Sequence, residues 1–98
     1  MIIVTGTIVA RADALEEVLR LSLEHVHRSR LEPGCVSHNV HQSVEDPCQI
    51  VFLEEWADRE ALAAHFVVPE ARDFVRSLGP LTSQRLPIRV YDATSIEL

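Results

Sequence analysis

The chain has 98 residues, a formal net charge of −6 and a hydrophobic content of 47%, which suits one domain with a small core. The negative charge argues against nucleic acid as a partner, because binding to phosphates needs a basic surface. No apolar run approaches the roughly 20 residues that cross a bilayer, and the N-terminus has no signal-peptide pattern. We therefore expect a cytoplasmic domain with no membrane partner, in which Cys35 and Cys48 are reduced thiols without a bridge between them.

The N-terminal part predicts a strand followed by a helix. Ile2 to Ala10 is rich in β-branched residues, which favour a strand, and Gly6 in its middle marks a bulge or a close approach by another group. Asp13 is expected to open a helix that ends near Arg30, with Glu16 completing a capping box. Helical spacing places the buried residues of this helix in one stripe: Leu15, Val18, Leu19, Ser22 and Val26.

A hairpin, a second helical region and a last strand follow. Residues 35–42 and 48–56 read as two strands joined by a short polar turn, which makes an antiparallel hairpin. Asp58 is a helix N-cap, and Pro69 suits the first turn of a new helical segment. Leu86 to Tyr91 is the predicted last strand. In the first hairpin strand, alternation places these residues on one face and their neighbours on the other: Val36, His38, Val40 and Gln42.

This βαββαβ order predicts a ferredoxin-like α+β fold with a four-stranded antiparallel sheet. The two helical regions would cover one face of that sheet. In the third strand, however, Ile50 and Phe52 are apolar on one face, and Val51 and Leu53 are apolar on the other. Because the chain has no further element to cover the second face, we predict a homodimer in which two sheets pack against each other.

The junction between the third strand and the second helix carries the candidate site. Glu54 and Trp56 share a strand face with Phe52, and His65 shares a helical stripe with Phe66, so an acid, an indole and an imidazole are expected near one space. In a functional interpretation they line a cavity, and His65 accepts a proton. In a structural interpretation Glu54 meets solvent or an arginine, Trp56 is core, and water or a backbone carbonyl satisfies His65.

The other histidines offer no local metal-binding pattern. His38 lies between two valines and is either a polar group of the same cavity or a half-buried strand residue. His38 and His41 point to opposite faces of a strand, and His25 and His27 do not face each other on a helix. Motifs for phosphate binding, dinucleotide binding and covalent hydrolysis are also missing. The sequence therefore predicts neither a metal nor a cofactor.

Taken together, several short motifs resemble the antibiotic biosynthesis monooxygenase (ABM) domain family, and the similarity runs from Ile3 to Tyr91. The resemblance implies a dimeric α/β barrel built from two ferredoxin-like subunits. The motifs that carry it are Glu32-Pro33-Gly34-Cys35, the Asp46-Pro47 turn, Glu54-x-Trp56 and Leu62-x-x-His65.

The resemblance also implies cofactor-independent oxidation of a phenol or hydroquinone-type aromatic by dioxygen. Alternatives on the same fold are a non-catalytic small-molecule-binding or stress-associated module, an isomerase, and a haem-degrading relative in which His65 imitates an axial ligand. For the oxidation, the resemblance implies that His65 and Glu54 are catalytic. We expect Trp56, His38, Phe52 and Phe66 to bind the substrate. At His38 the chain departs from the family, in which an aromatic such as tyrosine is common, and a polar group there would alter the choice of substrate.

Overall fold

The chain folds into one antiparallel sheet with three α-helices against one of its faces. The structure is a computed structural model and describes residues 1–98. None of the helices combines the length and the apolar character that crossing a membrane requires. Short 3-10 turns at Ala12–Ala14 and Gly79–Leu81 precede the first helix and follow the last one. The elements are β1 (Ile2–Ala10), α1 (Leu15–Ser29), β2 (Cys35–Gln42), β3 (Gln49–Trp56), α2 (Arg59–Phe66), α3 (Pro69–Leu78), β4 (Thr82–Arg85) and β5 (Arg89–Asp92).

The strand order in the sheet is β2-β3-β1-β4, and β5 also pairs with β1. β1 runs antiparallel to β3, with Ile2 opposite Trp56 at one end and Val9 opposite Gln49 at the other. β2 and β3 form the expected antiparallel hairpin. This topology confirms the predicted ferredoxin-like α+β fold class.

The last strand differs from the prediction of one strand over residues 86–91. β4 pairs with one end of β1, β5 pairs with the other end, and residues 86–88 between them form no strand. Pro87 lies in this break. A proline has no N–H and cannot donate a hydrogen bond to a neighbouring strand, so it is compatible with a break in the strand. The Leu86 N–H still donates to the Thr7 carbonyl oxygen over 3.1 Å, which ties the break to β1. The sheet therefore has five strands instead of four.

The prediction that Asp13 opens the first helix is wrong. Asp13 lies inside the 3-10 turn, and α1 begins two residues later with no side-chain cap. Its carboxylate instead accepts a hydrogen bond from Nε of Arg11 over 3.3 Å. Because the 3-10 turn occupies the position that a capping residue would need, the capping box with Glu16 does not form.

The starts of the next two helices are confirmed. The Asp58 carboxylate accepts a hydrogen bond from the Ala61 N–H over 2.8 Å, which makes Asp58 the N-cap of α2. Pro69 is the first residue of α3, where its missing N–H has no partner to lose. These two signals divide the second helical region into the two helices α2 and α3.

An irregularity in the β2–β3 ladder lies between Cys35 and Ser37. Because of it, Cys35 lies opposite Trp56 and packs on the helix-covered side of the sheet, while Val36 is exposed. The predicted alternation, which put Val36 on the face of His38 and Cys35 on the other face, is wrong at these two residues. From His38 onward the alternation holds, and His38 is fully buried on the covered face.

The core lies between the covered face of the sheet and the helices, and it has two parts. One part joins the end of the sheet where Val9 lies opposite Gln49 to α1 and α3, and we call it the apolar cluster. The other joins the opposite end of the sheet to α2, and we call it the tryptophan cluster. The apolar cluster consists of Ile8, Ala10, Val18, Val26, Ile50, Phe52 and Leu78. The tryptophan cluster consists of Ile2, Val4, Trp56 and Leu62.

The opposite face of the sheet, the open face, carries no helix. Leu53 and Tyr91 on this face are 42% and 46% exposed, and Ile3 and Val51 are half-buried. In the single chain, the apolar residues of the open face are therefore exposed to solvent. This agrees with the sequence, which predicts helices for only one face of the sheet.

Both cysteines are free thiols, as predicted. Cys35 lies at the Trp56 end of the hairpin, and the carbonyl of Cys48 accepts a hydrogen bond from the N–H of Ala10 at the other end. A disulfide needs Cα atoms within about 7 Å of each other, so residues at opposite ends of an eight-residue strand cannot form one.

Candidate functional site

A cavity of about 600 Å³ opens between the covered face of the sheet, α2, α3 and the break that follows β4. Ten of its 18 lining residues are hydrophobic, so a ligand there would be held mainly by apolar contact. Arg72, Arg76 and Arg85 line it as well and are exposed, which places them at its mouth. The predicted site residues on its wall are His65, Glu54, Phe52 and Phe66.

His65 is 4% exposed and belongs to a chain of polar contacts. Its Nδ1 lies 3.0 Å from Oε1 of Glu32. Glu32 also accepts a hydrogen bond from Nη1 of Arg28 over 2.9 Å, and Nη2 of Arg28 lies 2.9 Å from Nδ1 of His25. An ionised carboxylate can accept a hydrogen bond but cannot donate one. In a neutral His65 ring the proton therefore sits on Nδ1, and Nε2 carries the free lone pair.

Glu54 organises a second set of polar contacts. Its Oε1 accepts a hydrogen bond from Nε1 of Trp56 over 2.9 Å and lies 3.3 Å from Nε2 of His38. The contact with His38 is too misaligned for a hydrogen bond, and neither ring nitrogen of His38 has a partner. Burial acts to raise the pKa of Glu54, but His38 and Trp56 outweigh it and the pKa is lowered. Glu54 is therefore ionised at neutral pH.

His25 is the third histidine of the site and comes from α1. Its ring stacks on Phe74 of α3, with 4.1 Å between the ring centroids and an interplanar angle of 10°. Burial is the largest cause that lowers the pKa of His25 to about 3, followed by the neighbouring His38, His65 and Arg28. The ring is therefore neutral at physiological pH, and its Nδ1 accepts the hydrogen bond from Arg28.

The three histidines meet although they come from α1, β2 and α2. The ring centroid of His38 lies 5.2 Å from that of His25 and 5.6 Å from that of His65. One ring nitrogen from each histidine lies within 4.8 Å of those of the other two. This group could hold a metal ion. Because the three histidines are far apart along the chain, no local spacing of residues predicts this group.

Trp56 and His38 lie behind the cavity wall. Both side chains are fully buried, and neither lines the cavity. The Trp56 ring lies 4.7 Å from the ring of His65, centroid to centroid, and its indole N–H holds Glu54. These two residues therefore support His65 and Glu54 from the side away from the cavity, and their predicted contact with a substrate would be indirect.

Gly34 determines how closely the turn with Glu32 can approach α2, the helix that carries His65. Its φ is 81°, which an L side chain rarely adopts. A Cβ on Gly34 would lie 2.5 Å from Cβ of Ala61 on α2, and the Gly34 carbonyl accepts a hydrogen bond from the Ala57 N–H over 2.8 Å. The glycine therefore lets the turn with Glu32 reach α2 closely enough for the bond to His65.

Two functional residues are missing from the sequence prediction. His25 comes three residues after Ser22 and one before Val26, both on the predicted buried stripe, so the helical period alone indicates its burial. Glu32 belongs to a turn motif, and no local pattern relates it to His65, which lies 33 residues further on. Only the packing of α2 on the turn brings this pair together.

Comparison with known sequences agrees with this geometry. A family model described as antibiotic biosynthesis monooxygenase matches residues 1–77. An uncharacterized protein from Synechocystis sp. is 33% identical over 90 residues, which cover 92% of this chain and 61% of that protein. The chain therefore spans about three fifths of the length of this curated relative.

Solved structures share the fold over nearly the whole chain. A protein from Deinococcus radiodurans, proposed to be an antibiotic biosynthesis monooxygenase, superposes with a TM-score of 0.94 at 23% identity and covers 100% of this chain and 97% of its own. A second structure, described as an antibiotic biosynthesis monooxygenase, has a TM-score of 0.89 at 29% identity, with coverages of 97% and 100%. The protein PA3566 from Pseudomonas aeruginosa has a TM-score of 0.86 at 26% identity, with coverages of 96% and 94%.

Proposed function

Because this chain belongs to the antibiotic biosynthesis monooxygenase family, we propose that it oxidises a phenolic or hydroquinone-type aromatic molecule with dioxygen. The observation that carries the proposal is the hydrogen-bonded pair of His65 and Glu32 at a mostly apolar cavity. A cavity of about 600 Å³ has room for an aromatic ring. A phenol becomes an electron donor to dioxygen once it loses its proton, so the protein must supply a base beside an apolar space.

His65 is the base in this proposal. Its Nδ1 donates a hydrogen bond to Glu32, so Nε2 is the atom that takes the phenolic proton. Glu32 holds the ring in this tautomer and stabilises the imidazolium that forms, in the way that a carboxylate behind a catalytic histidine does. Phe52 and Phe66, which line the cavity, hold the aromatic ring of the substrate.

The substrate supplies all the electrons for the oxidation. A phenol and one molecule of dioxygen become a quinone and one molecule of water, with one oxygen atom entering the ring and the other leaving as water. The proton that His65 removes is returned to the departing oxygen, so neither a metal nor an organic cofactor takes part. Glu54 contributes a fixed negative charge near the base and orients Trp56 through its hydrogen bond.

The three arginines at the cavity mouth favour an aromatic substrate that carries an acidic substituent. Arg72, Arg76 and Arg85 are exposed and line the cavity beside its apolar wall. A guanidinium binds a carboxylate with paired hydrogen bonds, so an anionic group at the mouth would orient the ring toward His65. An acidic phenol is therefore expected to have a lower KM than its uncharged analogue at equal kcat.

We also propose that the working form is a homodimer joined through the open faces of two sheets. Leu53, Tyr91, Ile3 and Val51 place an apolar strip on this face. A second copy of the same face would cover it in an interface of roughly 2,000 Å² or more, the size of obligate dimers. Light scattering should give twice the chain mass at micromolar concentration, and Leu53→Asp should shift it toward the monomer.

Oxygen uptake with a panel of phenols and hydroquinones tests the oxidation. The wild-type chain should consume one dioxygen per phenol oxidised, and His65→Gln should lower kcat by roughly a hundredfold. Glutamine is chosen because its amide N–H can still bond Glu32, so the fold is kept. The matched control is His27→Gln, which alters an exposed histidine on α1 and should leave kcat unchanged.

Three other outcomes would replace the proposal. Saturable binding of the aromatic molecules without any turnover would make the chain a binding module. A rearranged product with no oxygen uptake would make it an isomerase. Equal kcat in a folded His65→Gln variant and in the wild type would remove His65 as the base.

A further inference from the structure

The site contains more buried imidazoles than the proposed oxidation uses. His25, His38 and His65 come from three elements, and each offers a ring nitrogen within 4.8 Å of the others. All three side chains are buried. We propose that these three histidines bind one divalent transition-metal ion of the class that prefers imidazole nitrogen, with Zn²⁺ as its representative.

The first support is the state of His38. It is fully buried, and both its ring nitrogens lack a hydrogen-bond partner. A buried polar atom left without a partner destabilises a fold. A metal ion would give one of these nitrogens the partner that the protein does not provide, and ring nitrogens of His25 and His65 lie within 4.8 Å to share the ion.

The second support is the position of the carboxylates. A histidine that binds a metal usually donates its other ring N–H to a carboxylate, which fixes the tautomer and the direction of the ring. Glu32 holds Nδ1 of His65 at 3.0 Å, which leaves Nε2 for a metal. Oε1 of Glu54 lies 3.3 Å from Nε2 of His38, which leaves Nδ1 of that ring for a metal once the contact aligns.

The charge of the site also suits a divalent ion. With neutral histidines, the two carboxylates of Glu32 and Glu54 and the one guanidinium of Arg28 leave a net charge of −1 around the three rings. Adding a dication changes this to +1, so the ion would be partly neutralised by groups that are already in place. Magnesium and calcium prefer oxygen ligands and are not expected to bind to a set of three nitrogens.

Binding requires two adjustments. Zinc–nitrogen distances of about 2.0–2.1 Å put ligand nitrogens roughly 3.4 Å apart in a tetrahedral site, so the rings must move together from their present spacing. Arg28 must also release His25, because a ring whose Nδ1 accepts a hydrogen bond carries its proton on Nε2. Removing the guanidinium should therefore strengthen metal binding.

A bound ion would also change the chemistry. Coordination through Nε2 of His65 occupies the lone pair that takes the phenolic proton, so zinc should inhibit the oxidation. This consequence rests on the proposed function, whereas the binding itself does not. Metal binding and inhibition are therefore measured separately.

Isothermal titration of the EDTA-treated full chain with Zn²⁺ tests the proposal, with Mg²⁺ as the control ion. We expect one Zn²⁺ per chain at micromolar affinity or tighter, no heat from Mg²⁺, and a visible absorption band of nitrogen-coordinated Co²⁺ when that ion is used instead. Zinc should raise the melting temperature. Absence of stoichiometric binding to the wild-type chain would overturn the proposal without any variant.

Variants locate the ion. His25→Gln, His38→Gln and His65→Gln should each weaken zinc binding at least tenfold, whereas His27→Gln and His41→Gln, which alter exposed histidines, should leave it unchanged. Arg28→Met should tighten it several-fold. Binding that persists in His38→Gln but disappears in Cys35→Ser or Cys48→Ser would place the ion on a thiol and overturn the proposal. Tight zinc binding in a chain that oxidises no phenol would leave the metal site standing and remove only the proposed function.

Discussion

Two regions of the covered face of the sheet, the apolar cluster and the three histidines, lie side by side and are built from opposite chemistry. Val26 of the apolar cluster directly follows His25 along α1, and both are buried. The apolar cluster needs no partner for its side chains, so it contributes stability at any pH. The histidine group depends on Glu32, Glu54 and Arg28. Substitutions in the first region should therefore change stability, and substitutions in the second should change chemistry and the response to pH.

The largest effect on stability is expected from Ile50→Ala in the apolar cluster. Ile50 lies on β3 and is fully buried against the helices, and removing its branched side chain leaves a cavity. The free energy of unfolding should fall by about 2–5 kcal/mol, measured by urea denaturation. Val36→Ala, at an exposed position, should change it by less than about 0.5 kcal/mol. Equal losses in the two variants would mean that the apolar cluster is not the main source of stability.

Gly34→Ala tests how the turn that carries Glu32 supports the histidine group. An alanine there is strained by the φ of 81° and would collide with Ala61, so the free energy of unfolding should fall by at least about 1–2 kcal/mol. The collision should also move α2 away from Glu32 and weaken its bond to His65. Gly79→Ala is the control, because a Cβ at that position meets nothing within 4 Å. Unfolding curves of the two variants should separate clearly, and matching curves would refute the proposed close approach.

The pH dependence of the free energy of unfolding should reflect the protonation of His25. Its pKa is lowered to about 3 by burial and then by His38, His65 and Arg28, so the unfolded chain binds more protons than the folded chain between about pH 3 and 6.5. Stability should therefore be complete above pH 6.5 and fall with acid, by up to about 1.4 kcal/mol per pH unit from this residue. Glu54, whose pKa is also lowered, acts in the same direction below its ordinary value of 4.5.

Urea denaturation of the metal-free chain between pH 7 and 4.5 measures this slope before Glu54 contributes much. His25→Gln should flatten it. His27→Gln, which changes an exposed histidine of the same helix, should leave it as in the wild type. A slope that His25→Gln does not alter would mean that another group takes up the protons.

The smallest difference in the free energy of unfolding is expected between substitutions of two arginines of α1. Arg28 bonds Glu32 and His25 in a largely buried setting, with 25% of its side chain exposed, while the side chain of Arg20 is 60% exposed beside Glu17. Arg28→Met should lower the free energy of unfolding by about 1 kcal/mol, because it removes one partner from each of two buried groups. Arg20→Met should change it by less than about 0.5 kcal/mol. A larger loss from Arg20→Met would reverse the comparison.

Local signals predicted most of the fold. Asp58 and Pro69 mark helix starts through their own side chains, and strand alternation put Glu54 beside Phe52, because these effects act within a few residues. The failures have one local cause and one that lies in the pairing of two strands. The 3-10 turn displaced Asp13 from its capping position, and the ladder irregularity turned Cys35 to the covered face.

The candidate site was predictable in part for the same reason. Trp56, Glu54 and His65 are linked by one strand end and one short helix, so their proximity follows from local periods. Glu32 and His25 reach His65 only through the packing of α1, the following turn and α2, and no spacing within one element encodes that. The spacing of histidines along the chain therefore gives no sign of the group that the fold assembles.

The break at residues 86–88 also affects how the sheet meets other chains along its edge. An unpaired strand edge can recruit a strand from another molecule and so begin aggregation. On this side of the sheet the edge consists of two strands of four residues each, with Pro87 and two other non-strand residues between them. No long continuous row of free backbone groups is left for an incoming strand to follow. The interruption that opens the side of the cavity therefore also protects this edge from growth into fibres.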